Sequence, residues 1–387
     1  MPTPVLSSIP MPYLIASTLL VGTLCFARLA PCVAAATPIP SPTPAVTLSG
    51  VYSIAAFHTY GINPTGALDN AHGVDRANRA DISNLLVTVN VESKKFSFGA
   101  TAGAYAFPTL GSALNPTLQA DANTALFGAL PLANVSYEPN THLVLRVGKL
   151  ATLLGQESIF TYQNNNIERG IGWALEPTIS RGVRARYNNK RLSIAVEDDD
   201  GYYSGHYGTL ASSLGYAFSS TTTLSFVALV PPVASAPNMT TTVANKTEYD
   251  LMYQAQFGKW SLQPYLLFVR SPASRALGYA RAERAVAAVF LGSYAASPRF
   301  SFGFRYENAR DASAFGDVGA NADLLGYGPG SAIQTITLTP TYRIGTLFIR
   351  AELACARLAA YAPGLGFGVD GNGRNQTRIA VEMGVQP

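Results

Sequence analysis

Short stretches in which apolar and polar residues alternate recur along most of the chain. In RFSFGFRYEN, residues 299–308, aromatic residues hold every second position, while Ser, Gly, Arg and Glu hold the positions between them. A period of two predicts a β-strand with one apolar and one polar face. We identify sixteen candidate strands, at 46–60, 83–92, 95–106, 132–139, 142–150, 179–187, 190–199, 210–218, 222–231, 247–257, 260–270, 285–296, 299–308, 333–344, 346–357 and 375–386.

The connections between these candidate strands alternate in length. Seven are short turns, around 93–94, 140–141, 188–189, 219–220, 258–259, 297–298 and 345. Eight are long, at 61–82, 107–131, 151–178, 200–209, 232–246, 271–284, 309–332 and 358–374. Outer-membrane β-barrels have short periplasmic turns and longer extracellular loops, and an even strand count leaves both termini in the periplasm.

The composition favours a membrane barrel over a soluble β protein. Charged residues make up 13% of the 387 residues, about half of the ~25% typical of soluble domains. Beyond residue 36 we find no apolar run of the ~18 residues that a spanning helix requires. Closed barrels are the other fold that satisfies its backbone in lipid. A β-helix would repeat every ~20–25 residues, which we do not find, and a β-sandwich would need a more polar outer face.

The N-terminal region is expected to be removed on export. An apolar run, YLIASTLLVGTLCF, is followed by small residues, and Ala34–Ala36 resembles a cleavage site. We therefore expect a signal peptide at 1–36, a Pro-rich tail at 37–45 and an outer-membrane barrel at 46–387. A single membrane anchor is the alternative for the first segment. Cys355 would be the only cysteine of the mature chain, which excludes an internal disulfide.

One hairpin, RGVRARYNNKRLSIAVEDDD at 181–200, sets the direction of several arginines. If Asn188 and Asn189 form a two-residue turn, Val183 lies opposite Ile194 and the apolar residues share one face. The arginines then share the other face and point into the lumen, because a guanidinium in lipid at mid-depth would cost about 2–4 kcal/mol. By this parity and that of the preceding strand, we expect five pore-lining residues: Arg146, Arg184, Arg186, Arg191 and Glu197.

Two interpretations of these charges remain open. They either keep a wet lumen wall solvated or bias which solutes pass. The later strands carry further charged residues at inward positions, namely Glu248, Asp250, Arg343, Arg350, Glu352, Arg378 and Glu382. The lumen is therefore expected to be mixed in charge, with at most a slight preference for anions. The net charge of +4 has no basic cluster of the kind that binds nucleic acid.

The long connection 151–178, ATLLGQESIFTYQNNNIERGIGWALEPT, carries too many apolar residues for an exposed loop. We expect it to fold into the barrel and narrow it. Glu157, Glu168 and Arg169 would then lie near the constriction.

The stretch Val147–Tyr187 also carries a family resemblance. Its VGK strand end, its LGQE and NNIERG motifs and the EP that leads into GVR resemble the β-barrel porin-2 family of Gram-negative outer membranes. The resemblance implies a passive channel in the outer membrane, surrounded by lipid, and supplies no catalytic residues. It also implies insertion by the outer-membrane assembly machinery, although the final residues, VEMGVQP, lack the usual terminal aromatic. A homotrimer is common among porins of sixteen strands.

The sequence therefore predicts a porin through which small hydrophilic solutes diffuse. The alternative is a non-conducting barrel that serves as an adhesin or as a structural or scaffold protein. We expect no enzyme activity, cofactor or metal site. The four histidines lack metal-ligand spacing, and the proximity of His206 to Ser204 is expected by chance in a Ser-rich chain.

Overall fold

The computed structural model describes residues 45–62, 77–114, 117, 127–232, 246–275, 278–312 and 323–386. The expected signal peptide and all but the last residue of the Pro-rich tail lie outside this part. Two short helices occur in it, a 3₁₀ helix at Thr161–Gln163 and an α-helix at Ile171–Leu175. No helix in these ranges is long and apolar enough to cross a membrane.

The fold is built from β segments that pair in chain order. They are β1 (Ala45–Tyr60), β2 (Asn78–Glu92), β3 (Phe96–Tyr105), β4 (Leu132–Tyr137), β5 (Leu143–Ala151), β6 (Ile179–Asn188), β7 (Leu192–Asp199), β8 (Thr209–Ser219), β9 (Thr222–Val230), β10 (Thr247–Phe257), β11 (Trp260–Leu262), β12 (Tyr265–Ser271), β13 (Glu283–Ala295), β14 (Phe300–Asp311), β15 (Ala332–Ile344), β16 (Leu347–Ala360) and β17 (Asn375–Val385).

These segments form a closed antiparallel barrel of sixteen strands. Segments β11 and β12 are two halves of one strand, because β10 and β13 each pair with both of them. Pro264 lies at the interruption, where it has no N–H to donate to the ladder. The barrel closes where β17 pairs with β1, with Arg378 opposite Thr59. The predicted fold class is therefore confirmed.

Each of the sixteen predicted stretches coincides with an observed strand, and short and long connections alternate as expected. The largest difference is at β2, which starts at Asn78 rather than near residue 83. Its first residues, NRADI, are mostly polar, so alternation does not reveal them. They nevertheless pair with the end of β1, beyond a bulge at Ser53.

The two faces of the strands differ sharply in exposure. On β15, Ile336 and Leu338 are 61% and 48% exposed, whereas Thr335 and Thr337, which alternate with them, are 2% and 1% exposed. Large apolar residues thus cover the outside of the barrel, where lipid would contact them. Next to the short turns, this face carries a belt of aromatic residues that includes Phe96, Tyr137, Tyr187, Phe257, Trp260, Tyr294, Phe300 and Tyr342.

The predicted register of the hairpin between β6 and β7 is wrong by four residues. Val183 lies opposite Asp198, not Ile194. The turn falls at Lys190 and Arg191, because the side-chain oxygen of Asn189 accepts hydrogen bonds from the backbone N–H groups of residues 191 and 192, at 2.9 and 2.8 Å. An Asx-type turn therefore replaces the Asn-Asn turn. The shift is even, so the faces stay as predicted, but Arg191 leaves the strand.

The interior is less uniformly polar than the alternation of residues in the sequence predicts. From β8 to β16 many inward-facing residues are apolar and buried, and they form one hydrophobic cluster with residues of the long connections. The wall contributes Ala211, Val227, Leu229, Met252, Leu267, Val269, Ala285, Ala287, Val289, Ala309, Ile333, Ala354, Ala356 and Leu358. Part of the barrel interior is therefore a packed core.

Candidate functional site

The connection between β5 and β6 contacts much of this inner wall. Its residues Leu154, Ile171 and Leu175 belong to the same buried cluster as Leu267 and Val289 of the wall. Burial of each large apolar side chain contributes about 1.5–3 kcal/mol. These contacts explain why the segment is more apolar than an exposed loop would be.

Two carboxylates of the wall bind backbone N–H groups of this connection. Glu352 on β16 accepts hydrogen bonds from the N–H groups of Ile167 and Glu168, at 2.5 and 3.0 Å. Glu307 on β14 accepts those of residues 171 and 172, at 3.1 and 3.0 Å. Charge-assisted bonds of this kind are about twice as strong as neutral ones. Both carboxylates are buried, so these bonds replace the water that the carboxylates would otherwise bind.

Two arginines of the wall bind the glutamates of the connection. Nη1 of Arg305 on β14 lies 2.7 Å from Oε1 of Glu157 and 2.6 Å from the carbonyl oxygen of Glu168. Nη1 of Arg378 on β17 lies 2.6 Å from Oε1 of Glu168. All four side chains are buried. Each charge of the connection at these positions is therefore matched by a charge of the wall.

A third arginine, Arg350 on β16, joins two parts of the site. Its Nε lies 2.8 Å from Oε2 of Glu382 on β17, and its Nη2 donates to the carbonyl oxygen of Thr161 at 2.8 Å. Nη1 donates to the carbonyl oxygen of Asn164 at 2.9 Å. The hydroxyl of Thr161 in turn donates to Oε1 of Glu382 at 2.9 Å. The guanidinium thus ties the 3₁₀ helix to the strand pair β16–β17.

The side chain of Arg169 is buried beside aromatic rings and is not exposed to solvent. Its guanidinium lies 5.5 Å from the ring centroid of Phe107 and 5.4 Å from that of Trp173, and the residue is 0% exposed. Its carbonyl oxygen accepts a hydrogen bond from the N–H of Leu110 at 3.0 Å. Arg169 therefore links the connection after β3 to the one after β5.

The arginines of β5 and β6 lie on the opposite part of the wall. Arg146 is exposed, and its Nε donates to the hydroxyl of Ser136 at 2.9 Å. Arg184 is buried and pairs with Glu197, with Nε 2.5 Å from Oε2. Arg186 is half-buried on the same face. These four charged residues occupy inward positions, as the parity of the strands predicts.

Arg191 does not join this group. It lies exposed in the turn, where its Nη1 is 3.4 Å from the hydroxyl oxygen of Tyr216. The turn shift described above moves it from the expected stack of three arginines to the short-turn end of the barrel.

The chain matches the family model described as "Putative beta-barrel porin-2, OmpL-like" over residues 46–386, which is nearly its whole length. The chain belongs to this family. As a β-barrel porin-2 protein, it is located in the outer membrane of a Gram-negative bacterium. No curated protein matches it.

Solved structures share the fold of this porin at low sequence identity. The outer membrane channel DcaP of Acinetobacter baumannii is 12% identical, with a TM-score of 0.59 over 89% of this chain and 97% of that chain. In-vitro folded OmpT of Vibrio cholerae is 10% identical, with a TM-score of 0.56 over 91% and 100%. A trimer form of OmpT is 9% identical, with a TM-score of 0.53 over 89% and 99%. At these identities the likeness shows the fold alone.

The three charged residues predicted to lie near the constriction are buried in the porin interior. Glu157, Glu168 and Arg169 are all buried, and each contacts the wall or a neighbouring connection. The polar surface that remains on this segment is uncharged, at Gln156, Gln163 and similar residues. Sequence parity indicates which wall residues point inward, but not that Glu307 and Glu352 bind backbone N–H groups.

A polar strip of the porin's inner wall keeps partial exposure. It includes small uncharged residues at inward positions of strands from β2 to β9, among them Thr88, Asn90, Asn134, Ser193, Ser213 and Ser225. It adjoins the arginines of β5 and β6. The interior of the barrel is therefore divided into a packed apolar part and an open polar part.

Two local arrangements resemble sites of other chemistry. The hydroxyl of Ser204 accepts a hydrogen bond from the backbone N–H of His206 at 3.0 Å and donates to the carbonyl oxygen of Asp200. These bonds stabilise a turn and do not align a nucleophile with a base. Within the described residues, no group of three or more His, Cys, Asp or Glu side chains could hold a metal ion.

Proposed function

We propose that this porin lets small hydrophilic solutes cross the outer membrane by passive diffusion through a water-filled channel. The observation that carries the proposal is the division of the interior. The wall from β2 to β9 keeps polar, partly exposed residues at inward positions, although much of the interior is packed. Small hydroxyl and amide groups exchange hydrogen bonds with water and with polar solutes at low energetic cost.

The connection 151–178 folds inward and narrows this channel. The contacts of Glu307, Glu352, Arg305, Arg350 and Arg378 with the segment support this assignment. Because these bonds form at many points along the segment, the constriction is rigid. It sets an upper size limit for solutes and does not act as a gate.

Arg146, Arg184 and Arg186 line the open side, with Glu197 beside them. Glu197 forms an ion pair with Arg184, so the arginines of this wall that have no carboxylate within ion-pair distance among the described residues are Arg146 and Arg186. A modest preference for anions follows, and it weakens as salt screens the two charges. Arg191 contributes little to this field at mid-depth, because it lies in the turn.

The partners of the porin follow from its surface. Outer-membrane lipid covers the apolar outer face, and the outer-membrane assembly machinery inserts the barrel. The trimer form of OmpT, which shares the fold, supports a homotrimer. Chemical cross-linking in membranes, followed by denaturing electrophoresis, tests this assembly, and a ladder that stops at the monomer would contradict it.

Liposome swelling tests the proposed transport. Vesicles that contain the purified porin should swell in uncharged solutes of low mass, and the rate should fall as solute mass increases. Vesicles without protein are the control. Swelling no faster than the control in every solute would contradict passive diffusion.

A second candidate function is a non-conducting barrel that acts as an adhesin or a scaffold. The buried apolar cluster inside the barrel favours it, because a packed interior is typical of a stable scaffold and not of a wide pore. The swelling measurement separates the two functions, since a barrel without an open path would not swell in any solute.

A further inference from the structure

An open pocket of about 190 Å³ lies between the connection 151–178 and the wall segment β11. This volume is below the ~300–1,000 Å³ of sites that enclose drug-sized ligands, so the pocket can hold part of a small solute, such as one sugar ring. Its lining is almost entirely uncharged and polar. Its polar lining includes Gln156, Ser158, Gln163, Asn165, Ser261 and Gln263.

Among the lining residues in the described part of the chain, the one charged residue, Glu157, is already neutralised. Its Oε1 is 2.7 Å from Nη1 of Arg305, and its Oε2 accepts a hydrogen bond from the N–H of Gly170 at 2.9 Å. A charged solute would therefore meet no unpaired opposite charge in the pocket, and it would lose part of its hydration on entry.

The amides of the pocket have spare hydrogen-bonding capacity. Among the described residues, the side chains of Gln156, Asn165 and Gln263 have no hydrogen-bond partner, and all three are only partly buried. An amide side chain offers two donors and one acceptor with two lone pairs. Such groups match a ligand whose own groups both donate and accept.

The tip of the connection 151–178, residues 163–166, is held in place by hydrogen bonds within the protein. Asn164 accepts a hydrogen bond from the N–H of Ser158 at 2.6 Å and donates to the carbonyl oxygens of Ser158 and Phe160 at 2.9 and 3.1 Å. Asn166 donates to the hydroxyl of Thr339 on β15 at 2.7 Å. The unpartnered amides thus project from a fixed frame, which lowers the entropy cost of binding.

We propose that this pocket is a binding subsite for uncharged polyhydroxylated solutes, and that it holds one ring of a neutral sugar. Adjacent hydroxyls of a sugar donate and accept hydrogen bonds together, as the amides of Gln156 and Gln263 require. The inference deepens the proposed function, on which it rests, by naming the class of solute that the narrowed channel retains. Anions that Arg146 and Arg186 attract would pass this pocket without binding there.

Saturation-transfer NMR on the full chain tests the subsite, in a detergent without a sugar headgroup. Maltose is the neutral probe, and lactobionate is an anionic probe of similar size. Transfer to maltose should be saturable. It should weaken about tenfold in Gln156→Ala/Gln263→Ala, because each lost hydrogen bond contributes modestly. Gln334→Ala, an exposed glutamine on the outward face of β15 and outside the pocket, is the matched control and should bind as the native chain does.

Three results would overturn the subsite: no saturable transfer to maltose, tighter binding of lactobionate than of maltose, or equal maltose affinity in the double variant and the native chain. If the double variant fails to fold, as judged by its heat-modifiable mobility, the two single variants are measured instead. The NMR measurement does not depend on conductance. Swelling without maltose binding would refute only the subsite, whereas maltose binding without swelling would refute only the proposed transport.

Discussion

Arg350 and Glu382 lie directly opposite each other on β16 and β17 and form an ion pair inside the barrel. The two residues are 2% and 0% exposed. Arg350 also donates to carbonyl oxygens of the connection 151–178, so one guanidinium serves both the wall and the segment beside it. A buried ion pair with such extra hydrogen bonds is costly to break on one side only.

Replacing Arg350 with Ala should lower the free energy of unfolding by about 3–5 kcal/mol, because Glu382 would be left buried and unpaired. The double variant Arg350→Met/Glu382→Met should lose less than the sum of the single changes. Urea titrations of refolding into lipid vesicles measure both. Arg343→Ala, at the exposed end of β15, is the control and should stay within about 0.5 kcal/mol of the native chain. Additive losses in the double variant would show that the pair is not coupled.

Glu352→Ala should loosen the middle of the connection. The backbone N–H groups of Ile167 and Glu168 would lose their shared acceptor, and each such bond to a charged group contributes about 1.5–3 kcal/mol. Hydrogen–deuterium exchange should therefore speed up across residues 164–172. Glu138→Ala removes a carboxylate from an exposed turn and should leave this exchange unchanged. Equal protection in native and Glu352→Ala protein would contradict the anchoring role.

Gly303→Ala should displace the tip of the same connection. A Cβ at this position would lie 2.3 Å from the backbone carbonyl oxygen of Asn165, a distance that no packed structure tolerates. We expect the barrel to fold, the maltose pocket to be distorted and the exchange of residues 163–166 to increase. Gly50→Ala is the control, because its added Cβ would meet only one atom, at 3.5 Å. Unchanged exchange in Gly303→Ala would show that the tip does not approach the wall this closely.

Arg186→Ser should reduce the anion-to-cation permeability ratio, whereas Arg191→Ser should not. The two residues have the same chemistry, but Arg186 lies on the inward face of β6 and Arg191 lies in the turn. Reversal potentials in a salt gradient measure the ratio, and the difference should be largest at low ionic strength. Equal effects of the two substitutions would mean that position on the inner wall does not determine selectivity.

The strands and their faces could be predicted from the sequence because a period of two is a local signal. Phe302 and Arg305 lie an odd number of positions apart on the same strand, so their side chains point to opposite faces. This spacing alone predicts that Phe302 faces lipid and Arg305 faces the interior. The register of the β6–β7 hairpin could not be predicted in this way. It depends on whether Asn189 caps the turn with its side chain or occupies the turn with its backbone, and both arrangements preserve parity.

The apolar part of the interior could not be predicted from the alternation of apolar and polar residues either. Inward alanines such as Ala285 and Ala287 look neutral in an alternating strand, and their role appears only in the buried cluster that they share with Leu154 and Ile171. The charged residues of the connection raise a similar difficulty. Glu157 and Glu168 could be placed near the wall, but their partners Arg305 and Arg378 are more than a hundred residues away in the chain.

Single-channel recording of the native porin and of a variant that lacks residues 156–172 tests the central claim most directly. The claim is that the barrel contains a water-filled path that the connection 151–178 narrows. The native chain should show discrete conductance steps in a planar bilayer, and the deletion variant should show larger ones. The absence of conductance steps in both proteins would contradict the channel, and steps of equal size would contradict the narrowing.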